Sequence, residues 1–380
     1  MTTTTISWDV LRELAAVRAA RGRVISLYVD LSPRVAPNIG DVRTRVHALL
    51  DEGSKPERNG GIALARERRE ALLADLEGLQ SHFEREFDRD GASGVAVFAS
   101  RLDNLWRVLP LSERVPDAVR VGGELHLAPL VPLVERSDGA LVAVVGREQG
   151  RLYRMRAGRL VEIADRGDDV PGRHDQGGWS QSRFRRHIEN LAQGHLRAVA
   201  DQLDRSLRAF GRPQLVILCG DETRAELAGL LSAEVVAAVV GWAQVEAHAS
   251  VGDIAAVALP LLEAWRTARE AEAVERWRDE IGRNARAVAG GPATLEAASD
   301  GRVELLLFEE GVRTQGFLCS VCGRASAEGG SCPLDDAVLE PCGDGIDLAL
   351  RLTLVHGGTA LAVPRGALAG TDGVGAMLRF

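Results

Sequence analysis

Short apolar runs of four to six residues recur along this chain between long helical stretches laced with charge, and that alternation limits the fold more than any other feature. Val24–Val29, Gly94–Phe98, Trp106–Leu111, Ala140–Val145, Leu215–Cys219, Val303–Phe308 and Ala360–Val363 read as strands, being short and rich in β-branched and apolar residues. Helical spacing covers 41–50, 63–89, 182–210, 222–231 and 253–289, with shorter helices near 294–298 and 346–355. In the second of these, Leu72, Leu73, Leu76 and Leu79 form the apolar stripe and charges fill the other face. Around Glu148-Gln149-Gly150 a hairpin joins Ala140–Val145 to a strand at Arg151–Arg156. The pattern predicts an α/β protein of more than one domain, since 380 residues exceed one ordinary domain of about 100–200.

Composition removes several classes of function. The net charge of −8 argues against a protein that coats nucleic acid by bulk positive charge, though not against one that touches RNA through a single basic patch. Lys55 is the only lysine, so a phosphate-binding Gly-Lys-Ser/Thr loop is excluded. The eight histidines form no His-Glu-x-x-His and no other ligand pair. No uncharged apolar run approaches the ~20 residues of a membrane helix, and the first residues lack a basic and apolar leader. The expectation is a cytoplasmic protein without a membrane partner.

Two breaks divide the chain. A Pro-containing stretch at His126–Val134 and the Gly290-Gly291-Pro292 punctuation suggest segments at 1–134, 135–289 and 290–380. The last carries six Arg against twelve acids, which suits a protein partner better than RNA. The opposite holds for 177–212, with seven Arg against three acids.

That basic stretch opens with Gly177-Gly178-Trp179-Ser180-Gln181 and continues Ser182-Arg183-Phe184-Arg185-Arg186-His187. Paired glycines permit torsions and close approaches that a Cβ forbids. The helix start that follows offers free N–H groups and a positive dipole end, and Arg183, Arg185 and Arg186 add bidentate phosphate donors. One reading is a tip that delivers a side chain into an RNA-lined pocket; the other is a solvent loop before an amphipathic helix. His187 either contacts phosphate or is a solvated helix residue, and Trp179 either stacks on a base or anchors the loop against its own domain. A serine-hydrolase elbow is a weaker reading, because Gly178-Trp179-Ser180-Gln181-Ser182 lacks the second glycine and does not directly follow a strand.

Four cysteines crowd between 319 and 342. Cys319-x-x-Cys322 can supply two zinc ligands from one tight turn, Cys332 a third, and either Cys342 or Asp335 a fourth. Free buried thiols and disulfides remain the other readings. A zinc here would be structural, since no general base stands nearby. Cys219 ends a core strand and reads as a small buried hydrophobe.

The tip and helix resemble the central domain of eukaryotic and archaeal class-I peptide chain release factors, whose Gly-Gly-Gln tip precedes a Ser-x-x-Arg-Phe-x-Arg helix. Here the phrase survives as Gly177-Gly178 and then Ser180-Gln181-Ser182-Arg183-Phe184-Arg185. Ile25–Val29 resembles the family's first strand, Leu295–Glu304 the opening of its third domain, and Gly373–Phe380 its closing strand. The third tip position is Trp179, with the glutamine two residues later at Gln181, a spacing similar to the Vms/ANKZF-type branch and its bacterial relatives. The family's Asn-Ile-Lys-Ser tetrapeptide is echoed only by Asn38-Ile39-Gly40-Asp41, without its lysine, so stop-codon reading is not expected.

The resemblance implies a mixed α/β N-terminal domain, an RNase H-like central domain and an L7Ae-like C-terminal domain with a cysteine-rich insertion. It implies action at the ribosomal peptidyl-transferase centre, cleaving peptidyl-tRNA on stalled ribosomes or large subunits. Gln181 would position the attacking water or ribose hydroxyl, Gly177 and Gly178 would shape the tip, and Trp179, Ser180, Arg183, Arg185, Arg186 and His187 would contact RNA. A translational GTPase would dock on the C-terminal domain. Pelota-like rescue factors and Balon-like hibernation factors share this architecture without cleaving, which leaves a non-catalytic A-site binder as the alternative.

Overall fold

The structure is a computed structural model and describes residues 6–19, 21–55, 66–136, 139–156, 159–167, 181–246 and 248–380. Two compact units divide the chain, Met1–Arg136 with Glu270–Phe380 forming one and Ser137–Arg269 the other.

The first unit begins with helix α1 (Trp8–Ala15), strand β1 (Val24–Asp30), helices α2 (Ile39–Gly53) and α3 (Arg66–Arg85), strands β2 (Gly94–Ser100), β3 (Leu105–Leu111) and β4 (Ala118–Gly122), and helix α4 (Val131–Arg136). The strands form an antiparallel sheet in the order β3-β2-β1-β4. Alternation along β1 sends Ile25, Leu27 and Val29 to one face, where Val42, Val46, Leu72, Leu76 and Leu79 of α2 and α3 cover them. Val24 and Tyr28 point to the other face and join a second core. Burial on both faces explains why the strand is almost continuously apolar. The stretch His126–Val134, read as closing the first segment, packs in this unit: a 3-10 turn (Ala128–Leu130) and α4 bury Leu127, Leu130, Val131 and Leu133 in the second core.

The other unit carries strands β5 (Leu141–Val145), β6 (Gln149–Arg156) and β7 (Arg159–Gly167), helix α5 (Gln181–Ala209), strand β8 (Leu215–Leu218), helices α6 (Asp221–Ala228) and α7 (Ala233–Ala238), strand β9 (Val239–Ala243) and most of helix α8 (Val251–Gly282). Its five-stranded sheet has the order β7-β6-β5-β8-β9, antiparallel across the hairpins and parallel from β5 through β8 to β9. The expected hairpin turn is closed by Gly146 N donating to Gln149 O at 2.7 Å. Helices cover both faces: Leu196, Val199, Leu203 and Leu207 of α5 pack over Leu141, Ala143 and Ile217, while Ile254 and Ala258 of α8 pack over Val142, Val216 and Leu218.

Strand β10 (Ala287–Ala289), helix α9 (Gly291–Ser299) and strands β11 (Val303–Glu309), β12 (Gln315–Cys319), β13 (Ala325–Ser326), β14 (Gly330–Ser331) and β15 (Val338–Asp344) return the chain to the first unit. Helix α10 (Gly345–Val355) and strands β16 (Thr359–Val363) and β17 (Val374–Leu378) complete it. One sheet runs β10-β17-β11-β16, with α10 crossing between the parallel pair β11 and β16; the smaller sheet runs β13-β12-β15-β14. The helix expected to reach residue 289 ends at Gly282, because Asn284 turns left-handed (φ 51°) and Ala285 N donates back to Glu280 O. The next residues become β10, paired with β17. Trp277, on the last turns of α8, donates from Nε1 to Val288 O at 3.0 Å and sits so close to Gly375 that any Cβ there would lie 2.8 Å from its ring.

A buried carboxylate holds the turn after β4 to α10. Asp347 Oδ1 accepts from Leu127 N (3.1 Å) and Ala128 N (3.2 Å), and Oδ2 lies 2.5 Å from His126 Nδ1. His126 N donates to Ser26 Oγ at 3.0 Å, and the buried Tyr28 hydroxyl donates to His126 O. Beside them Glu124 faces Arg351 (2.9 Å) and Arg18 (3.6 Å).

Candidate functional site

Gly177, Gly178, Trp179 and Ser180 lie outside the described residues. Gln181 is the first residue of α5, and Arg183, Arg185, Arg186 and His187 occupy its first two turns. The sequence thus brings an amide residue to the N-terminal, dipole-positive end of a 29-residue helix. What fixes that helix is its later half. Gly150 on β6 makes room for it, since a Cβ there would meet Val199 at 2.8 Å, and Leu196 is its first described residue in the central core. Gln181 stands about 22 Å along the axis from Leu196 at 1.5 Å per residue.

Asn38-Ile39-Gly40-Asp41 has a local structural job. Asn38 caps α2 by accepting from Asp41 N at 3.0 Å, and Asp41 returns the bond to Asn38 N at 3.1 Å, a reciprocal box that satisfies two donors at the helix start.

The cysteine-rich segment builds two turns of the same design. Cys319 O accepts from Gly323 N (3.0 Å) while Cys319 N donates to Arg324 O (2.8 Å). Cys332 O accepts from Asp336 N (3.0 Å) while Cys332 N donates to Ala337 O (2.7 Å). The residue four beyond each cysteine is left-handed, Gly323 at φ 78° and Asp336 at φ 58°. Asp335 therefore holds, in the second turn, the place that Cys322 holds in the first. One ligand atom from each of Cys319, Cys322, Cys332 and Asp335 can be chosen so that all lie within 4.8 Å of one another. Cys322 Sγ and Cys332 Sγ are 3.5 Å apart, and Cys319 Sγ is 3.3 Å from Asp335 Oδ1. A tetrahedral ion with bonds of about 2.3 Å to sulfur and 2.0 Å to oxygen needs edges of about 3.8 and 3.5 Å. The donor set and its spacing fit such an ion.

Cys342, a candidate fourth ligand by sequence, is not one of these residues. It lies on β15 beside Glu124, and burial first, then that carboxylate, pushes its thiol up to about 12. The repeat of Cys332-x-x-Asp335 after Cys319-x-x-Cys322 is the sequence signal that separates the two choices. Cys219 is buried among the core residues of the central sheet, and burial raises its thiol to about 11.

Residues 126–264, which span the tip, α5 and the central sheet, match the family described as bacterial archaeo-eukaryotic release factor family 10. Over that segment the chain is similar to the archaeo-eukaryotic release factors. A peptide chain release factor subunit 1 from Archaeoglobus fulgidus is 23% identical over 335 residues, covering 83% of this chain and 79% of the relative. Among solved structures, an archaeal translation termination factor, aRF1, is 15% identical over 99% of each chain with a TM-score of 0.27. An archaeal Pelota, described in a ribosome-bound model with ABCE1, is 12% identical over 100% of this chain and 95% of its own, with a TM-score of 0.42. Among the described residues no helix is long and apolar enough to cross a membrane.

Proposed function

We propose that this protein works in the cytoplasm on the ribosome, cleaving peptidyl-tRNA on stalled ribosomes or large subunits. The observation that carries the reading is the family match over 126–264, which contains both the Gly177-Gly178 tip and Gln181 at the start of α5. The central unit, with helices on both faces of a mixed sheet, is read as RNase H-like and the C-terminal portion as L7Ae-like. The acid excess of that portion suits docking of a translational GTPase. Cys319, Cys322, Cys332 and Asp335 hold a structural zinc that fixes the small sheet.

An amide does not titrate near neutrality, so Gln181 acts by position. Its two donors and one acceptor hold a water, or the terminal ribose hydroxyl, against the ester carbonyl. Water oxygen bonds to the carbonyl carbon, the bond to the ribose oxygen breaks, and that oxygen leaves with the proton. Donation from the amide to the developing oxyanion lowers the barrier. Arg183, Arg185, Arg186 and His187 seat the helix start on RNA phosphates, and Trp179 and Ser180 contact the same RNA.

Purified ribosomes carrying peptidyl-tRNA test this. Gln181→Ala should abolish release and leave ribosome binding intact, and undiminished cleavage by that variant removes Gln181 from the mechanism. Trp179, standing where the family's tip carries glutamine, favours one other reading, a non-catalytic A-site binder in rescue or hibernation. Binding of the unaltered protein without release at saturation selects it.

A further inference from the structure

A cavity of about 350 Å³ opens in the first unit, between β4, the 3-10 turn and α4 on one side and the turn joining β11 to β12 on the other. Its size is that of a small-molecule site. Pro129, Pro132, Leu133, Phe308 and Ile346 give it apolar walls, and Arg114, Arg120 and Arg313 supply positive charge.

Two of these arginines are unusual for a lining of this kind. Among the described residues neither Arg120 nor Arg313 makes an ion pair or a side-chain hydrogen bond, and Arg120 Nε is buried without a partner. Arg120 instead feels Arg313. The Arg120 guanidinium is disfavoured first by burial and next by Arg313, and that repulsion exceeds the attraction it receives from Asp344, Asp347 or Glu52.

The acids around the cavity are committed elsewhere. Asp117 accepts from Asp30 N at 2.7 Å and pairs with Arg45. Glu309 accepts from Leu368 N at 2.7 Å. Asp344 caps α10 through Ile346 N at 3.0 Å and also accepts from Thr314 N, and its own carboxyl is raised by burial and by Asp347. Glu310, on the exposed turn, is the remaining acid of the lining.

We propose that this cavity binds a small phosphorylated molecule with an apolar or aromatic body, its phosphate seated between Arg120 and Arg313. Two guanidinium forks match the charge and oxygen count of a phosphate dianion, whereas a carboxylate would occupy one fork and leave the repulsion standing. A bound dianion relieves that repulsion and satisfies the buried Nε. The apolar walls, which inorganic phosphate would leave wet, require the organic body.

Calorimetric titration of the full chain with phenyl phosphate, inorganic phosphate and benzoate tests the assignment. Phenyl phosphate should bind at least about tenfold more tightly than either of the others, and Arg120→Gln and Arg313→Gln should each weaken it by about tenfold or more. Arg313 is exposed on its turn, so its variant keeps the fold, and an unchanged melting temperature separates a lost site from a lost structure. No heat from phenyl phosphate at millimolar concentration, benzoate binding as tightly, or equal affinity in Arg313→Gln would each overturn it.

Discussion

Replacing Asp347 with alanine removes one side chain that serves three partners. Its side chain is 8% exposed, and it accepts from two consecutive backbone amides, of which Leu127 N is buried and Ala128 N partly so. A buried amide left without a partner costs about 1–3 kcal/mol, so two of them at unequal burial, with the lost bond to His126, come to about 3–4 kcal/mol. Asp347→Asn keeps an acceptor oxygen for both amides and loses only the charge on the His126 contact, about 1 kcal/mol. The two-unit chain need not unfold in one step, so hydrogen exchange in β1 and β17 is the suitable assay, because these buried strands of the first unit exchange by its opening. About 3 kcal/mol corresponds to a loss of protection of roughly a hundredfold or more. A loss under about tenfold in Asp347→Ala, or equal damage from Asp347→Asn, would refute the reasoning. Since His126 and Ile346 line the cavity described above, the alanine variant should also weaken phenyl phosphate.

Purified protein should carry about one equivalent of zinc, lost in Cys332→Ser and kept in Cys342→Ser; loss in the second variant would return Cys342 to the ligand set. Burial raises the Glu124 carboxyl above its usual 4.5, against the opposing pull of Arg351 and Arg18. The folded state therefore holds that proton more tightly than the unfolded chain, and the group's contribution to stability rises as pH falls through its folded value toward 4.5. Relative to Glu124→Gln, the unaltered protein should gain stability from pH 7 down to about pH 5, and parallel pH profiles would contradict that sign.

Much of the secondary structure was legible because local patterns carry it. The apolar runs at 24–29, 94–98, 140–145, 215–219 and 303–308 lie in strands to within one residue at either end of the run, and the period of α5 places its buried face along Leu196, Val199, Leu203 and Leu207. β7 and β9 escaped notice. Arg159–Gly167 is laced with charge, and Val239–Ala243 follows directly on the helix α7 in one apolar stretch, so neither shows an isolated run. The helix read through to residue 289 failed at Asn284, where a left-handed residue stops a pattern whose composition would have continued.

The amino-acid order by itself determined the α/β alternation, the Gly177–Gln181 phrase before a long basic helix, and the presence of three thiols with a choice of fourth ligand. These are properties of neighbours along the chain. Tertiary structure decided that Asp335 rather than Cys342 stands within reach of the three thiols, that Asp347 closes on a turn 219 to 221 residues away, and that Arg120 and Arg313 line one cavity. A polar side chain becomes a ligand, a clamp or an unmet charge according to what burial brings beside it, and separation along the chain does not encode that company.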